Sequence, residues 1–445
     1  MANMSIAISQ PLLNLSTFGW LSIVRIGLVQ ACIGAIVVMT TSTLNRIMVV
    51  ELALPASLPG FLVAIHYFVQ VIRPRMGFES DSGAKKTPWI LGGITLLAMG
   101  GFGAAIATAL MGVHLLLGIA SAIIAFFFIG VGVSMSGTSL LALLAKGVSD
   151  ERRAAAATTV WLMMIFGFAL TSGIAGKFLD PYSPEKVILI SGIISSIACF
   201  LTVIALYRLE GRELQNTAVS NAQKVPFRKA LSDILADPDT KKFTIFIFLS
   251  MFAFSAQDLI LEPFAGMIFN YSLGETTSLS GIQHSGVLTG MLLVAVCGSS
   301  RLRPYFGSLR SWMIYGCLAS ALAMFGLVIA GILEGNWPLK LNVFILGLAN
   351  GAFSIAAIAS MMRLAVVGGG GKEGVRIGLW GGAQAIAFGL GGLLGAGASD
   401  LARSIFTSPA YAYASVFFIE AILFVASAYM ASQVESKTGS SSGVR

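Results

Sequence analysis

This chain of 445 residues is short of charge: only 11% of its residues are Asp, Glu, Lys or Arg, while 56% are hydrophobic. A soluble domain carries about 25% charged residues, so an ordinary water-facing surface is excluded and most of the chain must sit in lipid. Cysteine is sparse as well. Cys32, Cys199, Cys297 and Cys317 all lie inside apolar segments and form no CxxC pair, which excludes a cysteine framework or thiolate metal site and leaves buried free thiols. The sequence also lacks an HExxH motif, a Walker loop and a Ser-His-Asp order at a plausible loop. The run Gly368–Gly371 has no βαβ context and reads as a hinge. No enzyme is expected on these grounds. The N-terminus has no basic n-region or small-residue cleavage site, so no cleavable signal peptide is expected. The apolar runs do not alternate, which argues against a β-barrel.

What is present is glycine, 50 residues of it, as suits closely packed membrane helices, together with twelve apolar segments. They cover 22–45, 56–72, 89–110, 114–144, 155–178, 187–207, 243–269, 280–299, 311–332, 338–362, 375–398 and 409–431, each near or above the ~20 residues that a bilayer requires. If the N-terminus is inside, 23 Lys and Arg fall on the inner side and 5 on the outer. The positive-inside rule therefore predicts cytoplasmic N- and C-termini. The net charge of +8 is a topology signal of this kind, not a sign of nucleic-acid binding. The expected fold is an all-α, twelve-span membrane protein in two six-helix halves, 1–207 and 243–432. A basic central loop at 208–242 joins them, with a surface helix expected over Phe227–Leu235, and 433–445 forms a disordered Gly/Ser-rich tail.

Six plus six spans with a long central loop resemble the major facilitator superfamily. The loop Gly77-Phe78-Glu79-Ser80-Asp81-Ser82-Gly83-Ala84-Lys85-Lys86 is similar to that superfamily's Gly-x-x-x-Asp-x-x-Gly-basic-basic loop, with one spacing departure at Gly83. The resemblance marks Gly77, Asp81, Lys85 and Lys86 as a cytoplasmic gate loop; an ordinary cytoplasmic turn is the plainer alternative. The matching loop near Arg301–Arg310 lacks the acidic residue. Longer stretches are more specific: Thr43-Leu44-Asn45-Arg46-Ile47-Met48-Val49-Val50-Glu51-Leu52, Thr87-Pro88-Trp89-Ile90, Gln257-Asp258-Leu259-Ile260-Leu261-Glu262-Pro263-Phe264 and Gly378-Leu379-Trp380-Gly381-Gly382-Ala383-Gln384. Together they resemble the PucC/LhaA, or bacteriochlorophyll-delivery, family over nearly the whole chain. The resemblance implies a multi-pass protein of a bacterial inner (intracytoplasmic photosynthetic) membrane. It further implies bacteriochlorophyll or a late precursor as bound ligand. The implied partners are light-harvesting polypeptides or late pigment enzymes (synthase, geranylgeranyl reductase), in a setting of membrane lipid. His66-Tyr67-Phe68-Val69-Gln70 departs from the family's antenna branches and leaves the partner open.

Ionisable groups at membrane depth are costly and mark candidate sites. Asp258 and Glu262 are four apart and share a helix face. Glu262 lies about 29 Å along its span at ~1.5 Å per residue, near the outer end, as does Arg46 on the first span. The expectation is an outer-side cluster of Asn45, Arg46, Glu51, Gln257, Asp258 and Glu262, in which Arg46 pairs with Asp258 or Glu262, either as a moving gate or as a static clamp. Among the three histidines, His66 and His284 are candidate axial ligands for a pigment magnesium, with Gln70 and Gln384 beside them as further candidates. Gln257 and Asn350 are polar span residues of the same kind. Phe126, Phe127, Phe128, Trp161, Phe166 and Phe168 either line a tetrapyrrole groove or face lipid. Three functions stay open: a pigment-handling assembly factor, a scaffold for a pigment enzyme, and a proton-coupled transporter of a small solute. The last expects carboxylates at mid-membrane, which this reading does not find.

Overall fold

Regular backbone hydrogen bonding within each apolar segment leaves no polar backbone to lipid, and in the computed structural model of the protein the apolar segments are accordingly helical. It describes residues 18–72, 85–148, 150–210, 237–297, 307–333, 336–367 and 373–434. Gly77, Asp81, the Phe227–Leu235 segment, the Gly368–Gly371 run and the C-terminal tail from 435 lie outside them.

The helices are α1 Trp20–Glu51, α2 Ser57–Val69, α3 Thr87–Met111, α4 Leu115–Gly147, α5 Asp150–Ala175, α6 Pro184–Leu206, α7 Pro238–Ile268, α8 Leu273–Cys297, α9 Leu309–Ile332, α10 Leu339–Val367, α11 Glu373–Ile405 and α12 Pro409–Gln433. Proline stands in the first turn of α3, α6, α7 and α12, where no intrahelical N–H is lost. Eleven of the described helices are long and apolar enough to cross a membrane, so the chain is a multi-pass membrane protein. The exception is α2. It has 13 residues and is prolonged only by a tight 3₁₀ turn, Gln70–Ile72, because Pro55 and the left-handed Ala53 (φ 50°) delay its start. The first segment deviates the other way and runs on to Glu51 through two π-helical stretches, Met39–Thr43 and Ile47–Glu51.

Packing repeats itself. In the first six helices α1 packs on α5 and α6, α3 on α4 and α6, and α2 on α4. In the last six α7 packs on α11 and α12, α9 on α10 and α12, and α8 on α10. Adding six to each number of the first set gives the second. Two seams then join the sets, α2 against α11 and α5 against α8, and these are again equivalent under the same rule. Glycine lets the backbones close up. A Cβ at Gly290 of α8 would lie 2.0 Å from the Leu348 carbonyl of α10, and one at Gly351 would lie 2.0 Å from that of Val287. Each glycine has a partner one turn away, Gly286 and Gly347, so the α8–α10 contact is a small-residue ridge of the kind that drives helix association in lipid.

Candidate functional site

The polar interior is built where α1 meets α7 and α8. In α1 the hydroxyls of Thr40 and Thr41 bond back to the Val37 carbonyl (2.8 and 3.0 Å), and hydroxyls inserted into the ladder in this way accompany widening to π-helix. Beyond the first wide turn, Asn45 and Arg46 are buried. On α7, Pro263 has no N–H to give the carbonyl four residues back, which is that of Leu259. The Asn45 amide donates to that freed carbonyl. One sequence anomaly on α7 is thus answered by a buried amide on α1.

Arg46 does not pair with Asp258 or Glu262. Its guanidinium bonds Glu51 on its own helix and the Tyr271 carbonyl (3.0 Å), and it lies against Gly266, one turn past Glu262. Glu51, five residues on, is brought round by the second π stretch. Spacing along the chain could not show this, because a regular α-helix sets i and i+5 on different faces. Glu262 sits in the field of Arg46 and Asp258 beside Ser42 and Ser280, yet neither carboxyl oxygen makes a hydrogen bond of regular geometry. Asp258 accepts from the Gln283 amide at 3.4 Å, and Gln257 is wholly buried with both amide atoms unbonded. Ser42 and Ser280 (3.3 Å) and Thr43 and Thr277 (3.3 Å) join α1 to α8. Nearby, burial together with Glu51 and Glu185 pushes the Tyr182 phenol above its ordinary range.

The two candidate histidines differ. In His66 the ring Nε2 faces the Gln70 amide at 3.0 Å, so Gln70 occupies that lone pair. In His284, Nδ1 lies 2.8 Å from the Ser280 carbonyl. A carbonyl only accepts, so Nδ1 carries the proton and the neutral ring keeps an Nε2 lone pair. A backbone carbonyl on Nδ1 is the usual way to orient a metal-binding imidazole. The donor chemistry therefore suits a pigment magnesium, but His284 is only 4% exposed and meets the Phe168 ring edge-on at 4.9 Å, so a ligand reaches it only when α5 and α8 part. Gln384 is half-buried, with its amide 3.9 Å from the Met251 sulfur, and makes no contact with either histidine among the described residues. Asn350 accepts from Ser320 at 2.7 Å. The aromatic residues do not line one groove: Phe126 is buried while Phe127, Phe128 and Phe166 face outward.

At the gate loop, Lys85 is exposed and Lys86 buried. The Lys86 and Thr87 N–H groups and the Thr87 hydroxyl donate to Glu210 after α6, so Glu210 caps α3.

Besides Glu210, three acidic residues escaped the sequence reading. Glu420 is eleven residues into the 25-residue α12, 2% exposed, with neither carboxyl oxygen hydrogen-bonded. A carboxyl therefore does lie at mid-helix, where none was expected; it was hidden in an apolar run. Asp180, just after α5, accepts from the Gly274 N–H (2.9 Å) and the Ser272 hydroxyl (2.5 Å) at the start of α8. Asp400 of α11 accepts from the Ala56 and Ser57 N–H groups (2.9 and 2.7 Å) at the start of α2 and also bonds Arg403. A signal for this pair was present: Phe168-Ala169-Leu170 precedes Asp180 by the same spacing as Phe388-Gly389-Leu390 precedes Asp400.

A protein-family profile described as "PUCC protein" matches residues 43–439. The "Bacteriochlorophyll synthase 44.5 kDa chain" of Rhodobacter capsulatus is 49% identical over 423 residues, 95% of this chain and 97% of that one. "Protein PucC" of Cereibacter sphaeroides is 30% identical over 421 residues, 90% of this chain and 88% of the relative. Among solved structures, the nucleoside transporter NupG matches with a TM-score of 0.68 at 14% identity, over 93% of this chain and all of that one. A D-xylose-proton symporter gives 0.67 at 14%, over 90% and 96%. These two show a shared transporter fold and nothing about cargo.

Proposed function

Because this chain belongs to the PUCC protein family, we propose that it is a non-catalytic membrane factor that handles bacteriochlorophyll or a late precursor. It would pass the pigment to late biosynthetic enzymes (synthase, geranylgeranyl reductase) or to light-harvesting polypeptides. The observation that carries the reading is the 49% identity over 95% of the chain to a protein whose name places it with bacteriochlorophyll synthase. The site offers a ligand for such a cargo in His284, whose Nδ1 is fixed by the Ser280 carbonyl and whose Nε2 makes no hydrogen bond among the described residues. A magnesium tetrapyrrole would take its axial bond there, and His66, engaged by Gln70, would not supply it. The chain would sit in the inner photosynthetic membrane with twelve spans, α2 being the short one, and with both ends in the cytoplasm.

The test is purification in mild detergent from a phototrophic host, with an absorbance spectrum, pigment extraction and identification of co-purifying proteins. Stoichiometric tetrapyrrole that is lost in His284→Leu and kept in His66→Leu is the expected result. A colourless preparation that brings down a pigment enzyme would favour the scaffold, a reading that the relative's name as one chain of a synthase also supports. A preparation with neither sinks both and returns the question to solute transport.

A further inference from the structure

The two six-helix sets meet along two equivalent seams, and each seam carries the same device at the same end. At the rim, an aspartate on or just past the fifth helix of one set holds the start of the second helix of the other: Asp180, after α5, holds α8 and Asp400, on α11, holds α2. Each carboxylate takes two donors at a helix N-terminus, where the dipole adds to the attraction. Just inside the rim a glycine brings the backbones together. A Cβ at Gly274 would lie 2.3 Å from the Gly176 carbonyl, and one at Gly60 would lie 2.9 Å from Ala396 Cβ. Twelve residues back from each aspartate a phenylalanine closes the seam on an aromatic ring of the second helix, Phe168 on His284 (4.9 Å) and Phe388 on Tyr67 (5.2 Å). Eight hydrogen bonds cross between the two sets in the half of the bundle that bears this rim.

We propose that Asp180 and Asp400 are a symmetric pair of releasable latches that shut this end of the bundle, so that the protein works by opening and closing between its two halves and is not a rigid scaffold. The character of the bonds separates a latch from a clamp. Asp180 is exposed and Asp400 only half-buried, so water replaces the lost bonds on opening, and a charge at a helix start in such a place is worth little. A permanent clamp between bundles would be expected to be dry. Release of the Asp180 latch would part α5 from α8 and uncover His284, which connects the gate to the proposed pigment site. The gate itself does not depend on what the cargo is.

The test needs no pigment and so fails or succeeds separately from the functional reading. In a background with the four native cysteines replaced, Thr277→Cys places a reporter just beneath the Asp180 latch; Thr277 is 1% exposed. A membrane-impermeant maleimide is applied from the side of the α1–α2 connection. Relative to the latched parent, Asp180→Ala or Asp400→Ala should raise the labelling rate a few-fold, and the double variant about tenfold or more. A second reporter, Ser320→Cys, fully buried within the last six helices, should stay as slow as before. The proposal is overturned if the double variant labels Thr277→Cys no faster than the parent, or if Ser320→Cys accelerates in step, since that would be general loosening.

Discussion

The Asn45–Leu259 bond shows how one residue type can require another across a membrane protein. Pro263 strips the Leu259 carbonyl of its helical partner and Asn45 supplies a new one. An unmet carbonyl in a dry interior costs about 1–3 kcal/mol. Asn45→Ala should therefore lower stability by about that amount, and Pro263→Ala, which restores the N–H, should recover most of the loss. Thermal unfolding of the four members of the cycle in one detergent measures it; additive losses would mean that the bond contributes nothing. The same residue-scale reasoning applies to Arg46. Its partner is Glu51 and a loop carbonyl, so Arg46→Glu should not be rescued by Glu262→Arg or Asp258→Arg in expression or melting temperature. Neither anomaly was legible alone. Asn45, Arg46 and Pro263 all stood out in the sequence, but which faced which depended on two π-helical stretches that periodicity does not announce.

At the scale of elements, the α8–α10 ridge is the contact that tolerates least. Gly290→Val would drive a side chain into the Leu348 carbonyl, and because backbone atoms cannot yield, the helices must separate and forfeit their packing. The variant should express poorly or melt many degrees lower. Gly397→Val on α11, whose Cβ would meet nothing within 4 Å, should behave as the parent in the same fluorescence-detected gel filtration. Equal behaviour of the two would disprove the ridge. Element identity was largely readable, since long apolar runs in lipid have no alternative to helix. Element ends were less so. The first helix overran its apolar segment as far as Glu51 and buried Arg46, a charge that hydropathy assigns to a loop, and α2 came out short because it starts from a constrained turn.

For the whole molecule, the distribution of Lys and Arg, 23 against 5, predicts a cytoplasmic C-terminus. A C-terminal alkaline phosphatase fusion should be inactive and a fluorescent-protein fusion bright, whereas the reverse would invert every loop. Charge counting, composition and hydropathy by themselves determined that this is a helical, multi-pass membrane protein, and motif resemblance determined its family, because solvent preference and short motifs are local properties of the chain. Only the tertiary structure decided what the polar residues do. It joined Asn45 to Leu259, turned Arg46 to Glu51, set the Gln70 amide on His66 and the Ser280 carbonyl on His284, and exposed Glu420 as an uncompensated carboxyl in an apolar core. It also gave Asp180 and Asp400 their meaning. In sequence each is an acidic residue near a helix end, and their shared role exists only because a repeated six-helix packing brings each one to the first turn of a helix more than ninety residues away.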